Sequence, residues 1–372
     1  MMQLASDSRG VKLLMLVGYC GEFPVALLDR VDGYYDYNRR RITQLVREGY
    51  LKERRLKAER RHIVRSVSLT RKGLSALRKV SPKHAQNIAA HKLAPANGQG
   101  VWPKTQRLHR GAACLLMAMA LDALWNPAAD KEHSKKLVYY STYEFNRTYS
   151  GTDDDDDDGN AGDNSEKSKK DSKGSRASGI FVTQHQYFLV YYLGERNLRW
   201  HPASEEHLKK NVEFSPAGQG RYFGGHLFIG EDWSLVENLV INGQRKFGQA
   251  IRILDIISNY VTLDETGILL TKAILNRNLR ARLLQAMYQA GYDMVHDNMN
   301  CLFPLDCIAQ MHQPERERRW HPGLCMGHFF SCQMDVVRKI NNRNTNVIEV
   351  PDEFLYQALR DASVNTTQAR LG

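Results

Sequence analysis

Through the first fifty residues, apolar positions recur at helical spacing, with polar positions between them. The apolar positions over Val11–Phe23 recur at the spacing of one helix face and predict a first helix. Pro24 opens a second predicted helix, at a first-turn position that proline tolerates. A third helix, with its body over Tyr37–Glu48, ends at Gly49, which supplies a left-handed stop.

The next segments switch to the spacing of β-strands. Strands are predicted over 50–56 and 62–70, joined by the basic turn KAERR, and Thr70 caps a further helix over 70–80. The order of helices and hairpin predicts a winged helix-turn-helix domain over residues 8–80. The pattern resembles the winged-helix domains of bacterial transcription and replication regulators, which place the third helix in the major groove of DNA.

The chain from residue 107 onward mixes helices and strands. A long apolar helix is predicted over 107–124, followed by a strand with an extension over 137–149. The segments GIFVT and YFLVYYLG predict a hairpin joined by Gln184 to Gln186, and a helix capped by Ser204 follows. The sequence therefore predicts an α+β protein whose body, residues 107–372, is mixed α/β with antiparallel hairpins.

One stretch of this body breaks the pattern. Residues at about 151–175 carry no aromatic or large aliphatic side chain and include the aspartate run Asp153–Asp158. Such a segment cannot offset its ordering entropy, which predicts a disordered acidic and polar insert in a surface loop. A contiguous aspartate run also lacks the spaced ligands of a calcium loop.

The positive charge of the chain is confined to its first part. Residues 1–110 hold 23 lysines and arginines against 8 acidic residues, a net charge of +15, whereas the whole chain carries +11 and its other 262 residues therefore carry −4. A basic head on a slightly acidic body favours double-stranded DNA as the partner. The basic residues continue through 81–106, whose proline and glycine content predicts a basic linker.

The exposed face of the third helix and the hairpin carry the candidate DNA contacts. Arginine pairs with guanine and glutamine with adenine, so the residues predicted to contact bases are Tyr37, Arg40, Arg41 and Gln44. The residues predicted to contact phosphates are Arg39, Arg47, Lys52, Arg54, Arg55, Lys57, Arg60, Arg61 and Arg65. Asn38, four residues before Ile42, falls on the core side. The alternative function is a basic winged helix that docks proteins.

Length and composition set further bounds. The 372 residues suffice for two domains, and no apolar run approaches the roughly 18 residues of a membrane span. The first ten residues lack the apolar core of a signal peptide, and the six cysteines lack the spacing of a secreted framework. We therefore expect a cytoplasmic protein with reduced thiols, no membrane partner and no cofactor.

Several layout features together resemble one family. They are the winged helix, the RLHR entry to the long helix, the YSTYEF strand, and the hairpin of SRASGIFVTQHQYFLVYYLGERNLRW followed by a helix of mixed charge. This layout is similar to replication-relaxation proteins of plasmids and integrative conjugative elements. The resemblance implies a restriction-endonuclease-like body and DNA binding in replication, transfer or their regulation, with a homodimer or replication and transfer proteins as further partners.

A metal-dependent nuclease of that fold needs particular acidic residues. One strand carries an acidic residue and the next an acidic-x-lysine pair, because two carboxylates hold Mg²⁺ while the lysine steadies the attacking water. This chain has Ser178 and Gly179 at the first place and Val190, Tyr191 and Tyr192 at the second. We therefore expect a degenerate nuclease-like body without catalysis. A nuclease with a non-standard site is the alternative.

A group of cysteines and histidines near the end of the chain bears on metal binding. His321, Cys325, His328 and Cys332 are residue types that bind Zn²⁺, although their spacing is not that of a zinc finger. In a strand, Cys325 and His328 would point to opposite faces of the sheet. This favours buried cysteines that act as small apolar residues, and the sequence leaves a zinc site open.

Overall fold

The chain folds as a mixed α and β protein. The structure, a computed structural model, describes residues 8–57, 63–91, 95, 101–125, 137–149, 176–193, 202–230, 258–290, 327–331, 347–357 and 360. Within those ranges, no helix combines the length and the apolar character that crossing a bilayer requires.

The amino-terminal region is built on a small antiparallel sheet. Its elements are helix α1 (Arg9–Cys20), strand β1 (Phe23–Pro24), a 3₁₀ helix (Val25–Arg30), α2 (Tyr35–Arg47), β2 (Leu51–Lys57), β3 (Ile63–Leu69) and α3 (Arg71–Val80). Strand β3 is central and pairs antiparallel with β1 on one side and β2 on the other. The hairpin β2/β3 therefore follows directly on α2 and is anchored by β1.

Local sequence signals correctly placed the carboxyl end of α2 and the amino end of α3. Gly49 has φ +77° and ends α2, and the Tyr50 backbone N–H donates to the Leu45 carbonyl at 2.9 Å. The Thr70 hydroxyl caps α3 by accepting from the Gly73 N–H at 3.0 Å. Both stop and start were predicted from the residue type that the backbone conformation requires.

The two elements before α2 differ from the prediction. Helix α1 ends at Cys20, because Gly21 takes a positive φ of +70° and Phe23 then pairs with Val67 in the sheet. The predicted second α-helix is a six-residue 3₁₀ helix, a form that proteins use in short pieces. Periodicity alone overestimated both lengths because it does not register the strand between them.

Two more helices lie where the sequence predicted a basic linker. Residues 81–106 contain α4 (Pro82–His91) and the first residues of α5 (Val101–Ala120). Ala85 and Ile88 of α4 are buried, and Ile88 packs over Gly18 of α1. The Tyr19 hydroxyl also hydrogen-bonds His84 Nδ1 at 3.0 Å. Helix α4 is therefore packed onto the amino-terminal region.

The body is organised around a five-stranded sheet. Its elements are β4 (Val138–Ser141), α6 (Thr142–Tyr149), β5 (Gly179–Val182), β6 (Gln186–Leu193), α7 (Pro202–Phe214), β7 (Tyr222–Gly230), β8 (Ser258–Val261), α8 (Glu265–Leu275) and α9 (Arg277–Gln289). The strand order is β4-β5-β6-β7-β8, with β5 antiparallel to both neighbours and β6, β7 and β8 parallel. Strands β9 (Gly327–Phe330) and β10 (Val347–Val350) form a separate parallel pair.

The structure tests several predictions for the body. The hairpin β5/β6 is present, and the Thr183 N–H donates to the Gln186 carbonyl across its turn at 2.8 Å. The extension after β4 is helix α6 and not strand. Helix α7 already begins at Pro202, so Ser204 lies inside the first turn and is not the cap. The parallel pairing of β6, β7 and β8 was not predicted, since the sequence analysis expected a mixed body with antiparallel hairpins and named no parallel strands.

Two helical layers cover the faces of this sheet. Leu189 and Tyr191 of β6 face one side and pack in the same cluster as Leu208 of α7. The alternate residues Phe188 and Val190 face the other side, in a cluster that includes α5. Because α5 packs against β6, α1 and β1, this second cluster continues into the amino-terminal region. The two regions thus share one apolar core.

A candidate nucleic-acid interface

Helix α2 presents a polar, basic face to solvent. Its buried residues are Asn38, Ile42 and Leu45. With 3.6 residues per turn, the positions opposite these three are Asp36, Arg40, Thr43 and Arg47, and all four are exposed. Arg40 and Arg47 therefore stand at the centre of the exposed face, one above the other by about two turns.

Asn38 fixes this orientation of α2. Its side chain is fully buried, and its Nδ2 donates to the carbonyls of Val31 at 3.2 Å and Asp32 at 3.1 Å. Its Oδ1 accepts from Arg9 Nε at 2.8 Å. The predicted core position of Asn38 is confirmed, and these bonds tie α2 to both α1 and the preceding loop.

The four predicted base contacts divide into two pairs. Tyr37 and Arg40 are exposed, whereas Arg41 and Gln44 are half-buried on one flank of α2. Arg41 Nη1 donates to Gln44 Oε1 at 2.9 Å, and Gln44 Nε2 donates to Glu48 Oε1 at 2.8 Å. This chain of hydrogen bonds engages Arg41 and Gln44 within the helix. In the structure as it stands, Tyr37 and Arg40 are the better placed for contact with bases.

Three further residues of this surface were missed from the sequence. Thr43 is exposed on the basic face, and its position three residues after Arg40 and four before Arg47 would have placed it there. Tyr34 and Tyr35, at the amino end of α2, are 87% and 41% exposed. Exposed aromatic rings beside a basic face are suited to contact with sugars and bases. In the sequence, these two tyrosines begin the run YYDY, residues 34–37, and lie before the predicted start of the helix.

The predicted phosphate contacts fall into three groups. Four of them are exposed and form no ion pair with another described residue: Arg39, Arg47, Lys52 and Lys57. Paired side chains belong to Arg54, Arg55 and Arg65. Arg60 and Arg61 lie outside the described residues. The first group is available to phosphate oxygens without breaking an existing ion pair.

Arg54, for which a phosphate contact was predicted, already has a partner inside the protein. Its Nη1 lies 3.4 Å from Oε2 of Glu22, which is fully buried, and the Arg54 side chain itself is only 16% exposed. The Ser66 hydroxyl hydrogen-bonds the other Glu22 oxygen, and Thr105 Oγ1 of α5 donates to Glu22 at 3.5 Å. A buried carboxylate requires such partners. Arg54 is therefore the counter-ion of Glu22 and does not reach outward.

Glu53 holds the other two paired arginines of the hairpin. Arg65 donates from Nε and Nη2 to both Glu53 oxygens at 3.0 and 3.1 Å, and Arg55 Nε donates to Glu53 at 3.3 Å. The hydrogen bond from Arg65 lowers the pKa of Glu53, and the same bond raises the pKa of Arg65. One carboxylate therefore offsets part of the positive charge of the hairpin.

If the hairpin contacts DNA phosphates, removing this carboxylate should strengthen binding to duplex DNA of any sequence. In a Glu53→Gln variant, Arg55 and Arg65 lose their internal counter-ion, so each can neutralise a DNA phosphate. We expect a severalfold tighter binding to random duplex DNA and a salt slope steeper by about 1 to 2. Fluorescence anisotropy across a salt series measures both quantities. Asp29→Asn removes the same charge away from the hairpin, and an equal gain in that control would contradict the expectation.

The positions at which the sequence was compared with a metal-dependent nuclease hold no carboxylate pair. Gly179 of β5 lies opposite Val190 of β6, and the Ser178 N–H donates to the Val190 carbonyl at 2.7 Å. The Tyr191 hydroxyl instead donates to Oε2 of Glu205 in α7 at 2.8 Å. In the part of the chain that the structure describes, no three His, Cys, Asp or Glu residues group in a way that could hold a metal ion.

The cysteines and the candidate zinc ligands add little chemistry to this picture. Cys20 and Cys114 are buried free thiols. Burial raises the pKa of Cys114 to about 12 and also raises that of Cys20, so neither forms a reactive thiolate at neutral pH. His328 lies in β9, whereas His321, Cys325 and Cys332 lie outside the described residues.

The geometry thus places the candidate interface on the exposed basic face of α2 and on the hairpin that follows it in the chain. Comparison of the chain with models of protein families, with curated proteins and with solved structures found no match.

Proposed function

We propose that the chain binds duplex DNA through a winged helix-turn-helix formed by residues 8–80. The observation that carries the proposal is the exposed face of α2, with Arg40 and Arg47 at its centre and Tyr37 beside them. The major groove admits an α-helix, and arginine reads guanine there by a bidentate contact. The order α1, 3₁₀ helix, α2 and three-stranded sheet supports the same domain type.

The hairpin supplies the second part of this proposed interface. Lys52 and Lys57 are exposed on β2, which follows α2 after only a short turn. Lysines beside a groove-reading helix neutralise phosphates and fix the register of the protein on the duplex without reading sequence. We infer that α2 selects the site and that the hairpin adds affinity.

For the whole chain we propose a role on a mobile genetic element, in replication, transfer or the regulation of either. The basis is the resemblance to replication-relaxation proteins, together with the arrangement of the body. A mixed sheet lies between α5 and α7. We infer from the resemblance that its hairpin β5/β6 corresponds to the strands that carry the acidic residues of a restriction-endonuclease-like enzyme. With Ser178 and Val190 at those places, the proposed body binds and assembles and does not cut.

The test of this function is selective retention of DNA. We expect the intact protein, at physiological salt with Mg²⁺ present, to prefer a fragment of its own replicon to random DNA and to leave both uncut. Replacing Arg40 by alanine should remove about 1 to 3 kcal/mol of that preference, because one base contact is lost. Replacing Lys57 by alanine should weaken binding to both DNAs equally and reduce the salt slope by about 1.

Three results would contradict the proposal. Equal losses on both DNAs from Arg40→Ala and Lys57→Ala would remove α2 from the role of recognition helix. Weak, unselective binding by the unchanged protein would favour a winged helix that docks proteins. Shortened DNA fragments would show that the body is a nuclease with a non-standard site.

A further inference from the structure

Exposed aromatic side chains are concentrated at the amino end of α2. Tyr34 is 87% exposed, Tyr35 41% and Tyr37 55%. Among the described residues, the other exposed large apolar or aromatic side chains are those of Ile63 in the hairpin and of Phe214 and Tyr222 in the body. Single exposed apolar residues are common on protein surfaces, but three within four residues form a patch of the kind that marks a binding surface.

The loop before α2 holds Tyr34 and Tyr35 in place. Asn38 Nδ2 donates to the carbonyls of the two residues before Gly33 at 3.2 and 3.1 Å. Gly33 then takes φ +87°, and Tyr34 precedes α2 as its N-cap without a capping hydrogen bond from its side chain. The backbone under both rings is therefore fixed, while the Tyr34 side chain takes no part in capping the helix. A fixed backbone lowers the ordering entropy that binding a partner costs.

The charge around these rings favours a nucleic acid as the partner. Arg39 and Arg40 follow the tyrosines on α2 and are exposed, and Lys52 and Lys57 continue the positive charge along β2. Proteins that bind unpaired bases combine a basic surface, which follows the phosphates, with aromatic rings on which bases stack. The amino end of α2 has both components.

Tyr34 and Tyr35 suit a base better than a phosphate. The exposed carboxylate of Asp36 follows them directly and repels phosphate groups at this end of α2. A base carries no net charge, and its flat face can stack on a tyrosine ring. In an intact duplex that face is covered by the neighbouring base pairs, and only the base edges are open in the grooves. The two rings can therefore stack only on bases that are outside the paired stack.

The two rings also lie beside the face that is proposed to read the major groove. Tyr35 is turned about 120 to 140° around the helix axis from Arg47 and Arg40, which are at the centre of that face. Tyr34 precedes the helix in extended conformation. With Arg40 in the groove, both rings point past the base pairs that α2 contacts, to where a strand leaves the duplex.

We propose that Tyr34 and Tyr35 form a stacking platform for unpaired bases next to the duplex that α2 reads. The DNA that the chain binds best then has a duplex joined to a single-stranded stretch, in place of uninterrupted duplex. This inference rests on the proposed DNA binding through α2, and it assigns a role to two residues that the proposed function does not use.

Fluorescence anisotropy with matched DNAs tests the platform. The DNAs are a paired duplex, the same duplex with a short tail of unpaired thymines, and the same duplex with an equally long abasic tail, which has the phosphates but no bases. We expect the intact protein to bind the thymine tail about tenfold more tightly than the abasic tail, since stacking a base on an aromatic ring contributes that much. Tails at the 5′ and 3′ ends are tested in turn.

Three variants separate stacking from other contacts. Tyr34→Ala with Tyr35→Ala should bind the thymine and abasic tails equally and keep its affinity for the paired duplex. Tyr34→Phe with Tyr35→Phe retains both rings and should keep the tenfold preference. The control Tyr222→Ala removes a tyrosine of the body that is 55% exposed and should also keep it. Loss of the preference in the phenylalanine variant would assign the contact to the hydroxyls and overturn the stacking platform.

Photocrosslinking of the unchanged protein provides a second test that needs no variant. A 5-iodouracil base in the tail reacts with an aromatic ring stacked on it, so we expect the crosslinked peptide to contain Tyr34 or Tyr35. A crosslink confined to other residues would overturn the proposal. So would equal binding of the thymine and abasic tails by the unchanged protein, which would leave the rings for a protein partner.

The paired duplex separates this inference from the proposed function. Selective binding of paired duplex that Arg40→Ala weakens, without any preference for the thymine tail, would refute the platform and leave the reading of duplex by α2 in place. Absence of binding to all three DNAs would refute both proposals.

Discussion

Replacing Arg54 by alanine should lower the free energy of unfolding by about 3 to 5 kcal/mol, the cost of leaving a buried charge without its partner. Glu22 is 0% exposed and Arg54 is the cation that the structure places 3.4 Å from it. Without Arg54, the hydroxyls of Ser66 and Thr105 would be the only groups among the described residues within hydrogen-bonding reach of Glu22. Most of this loss arises because the Glu22 carboxylate stays buried without a counter-ion, and less of it arises from the lost contact itself.

Urea unfolding of two variants on the same strand measures this effect. Lys52→Ala removes an exposed cation of β2 and should change the free energy of unfolding by no more than about 0.5 kcal/mol. Replacing both partners, Glu22→Gln with Arg54→Met, should recover much of the loss, because no unpaired charge remains. If Arg54→Ala matched Lys52→Ala in stability and weakened DNA binding instead, Arg54 would be the phosphate contact that the sequence predicted.

Glu22 also explains how the amino-terminal region and the body are joined. Its carboxylate contacts Arg54 of β2, Ser66 of β3 and Thr105 of α5, so one buried group connects the hairpin to the helix that covers the central sheet. The apolar core runs through the same junction. A mutation at this junction should therefore affect both regions at once, which a flexible linker between separate domains would prevent.

Local features of the fold were predictable because each depends on one residue type or one short pattern. Gly49 ended α2 because its backbone needs a positive φ, and Asn38 was placed inward by its spacing from Ile42. The hairpin β5/β6 followed from two apolar segments around a polar turn. The predictions were wrong for the lengths of elements whose limits are set by tertiary pairing. Strand β1 is an example, because it forms only where Phe23 pairs with Val67.

The candidate sites were less predictable, since their residues come together from distant positions. Composition treated every arginine of the hairpin alike, and only the fold separates Arg54, which is paired inward, from the exposed Lys52. Glu22 and Thr105 are likewise far apart in sequence and meet only because α5 packs on the amino-terminal sheet. A short-range pattern carries no information about such long-range contacts, so the inward pairing of Arg54 had no signal in the sequence.

Acid should destabilise the protein through His226. The side chain is 3% exposed and lies among aromatic rings, with the centroids of Phe223 and Tyr191 at 5.2 and 5.4 Å. Burial, with a smaller effect from Lys209, lowers the pKa of His226 to about 3. The unfolded chain binds a proton at this histidine below about pH 6.5 while the folded chain does not, so stability is complete above that pH and falls below it.

The slope of the free energy of unfolding against pH distinguishes His226 from the other titrating groups. Between pH 6.5 and 4.5, the one group should remove roughly 2 to 3 kcal/mol from the free energy of unfolding, about 1.4 kcal/mol per pH unit. His109, whose pKa burial and Arg54 lower to about 4, titrates in the same direction. The His226→Gln variant should therefore lose less stability than the unchanged protein over this range, measured by urea unfolding at matched ionic strength. Parallel pH curves would mean that His226 gains its proton in the folded state, and its place in the sheet would then have to admit water.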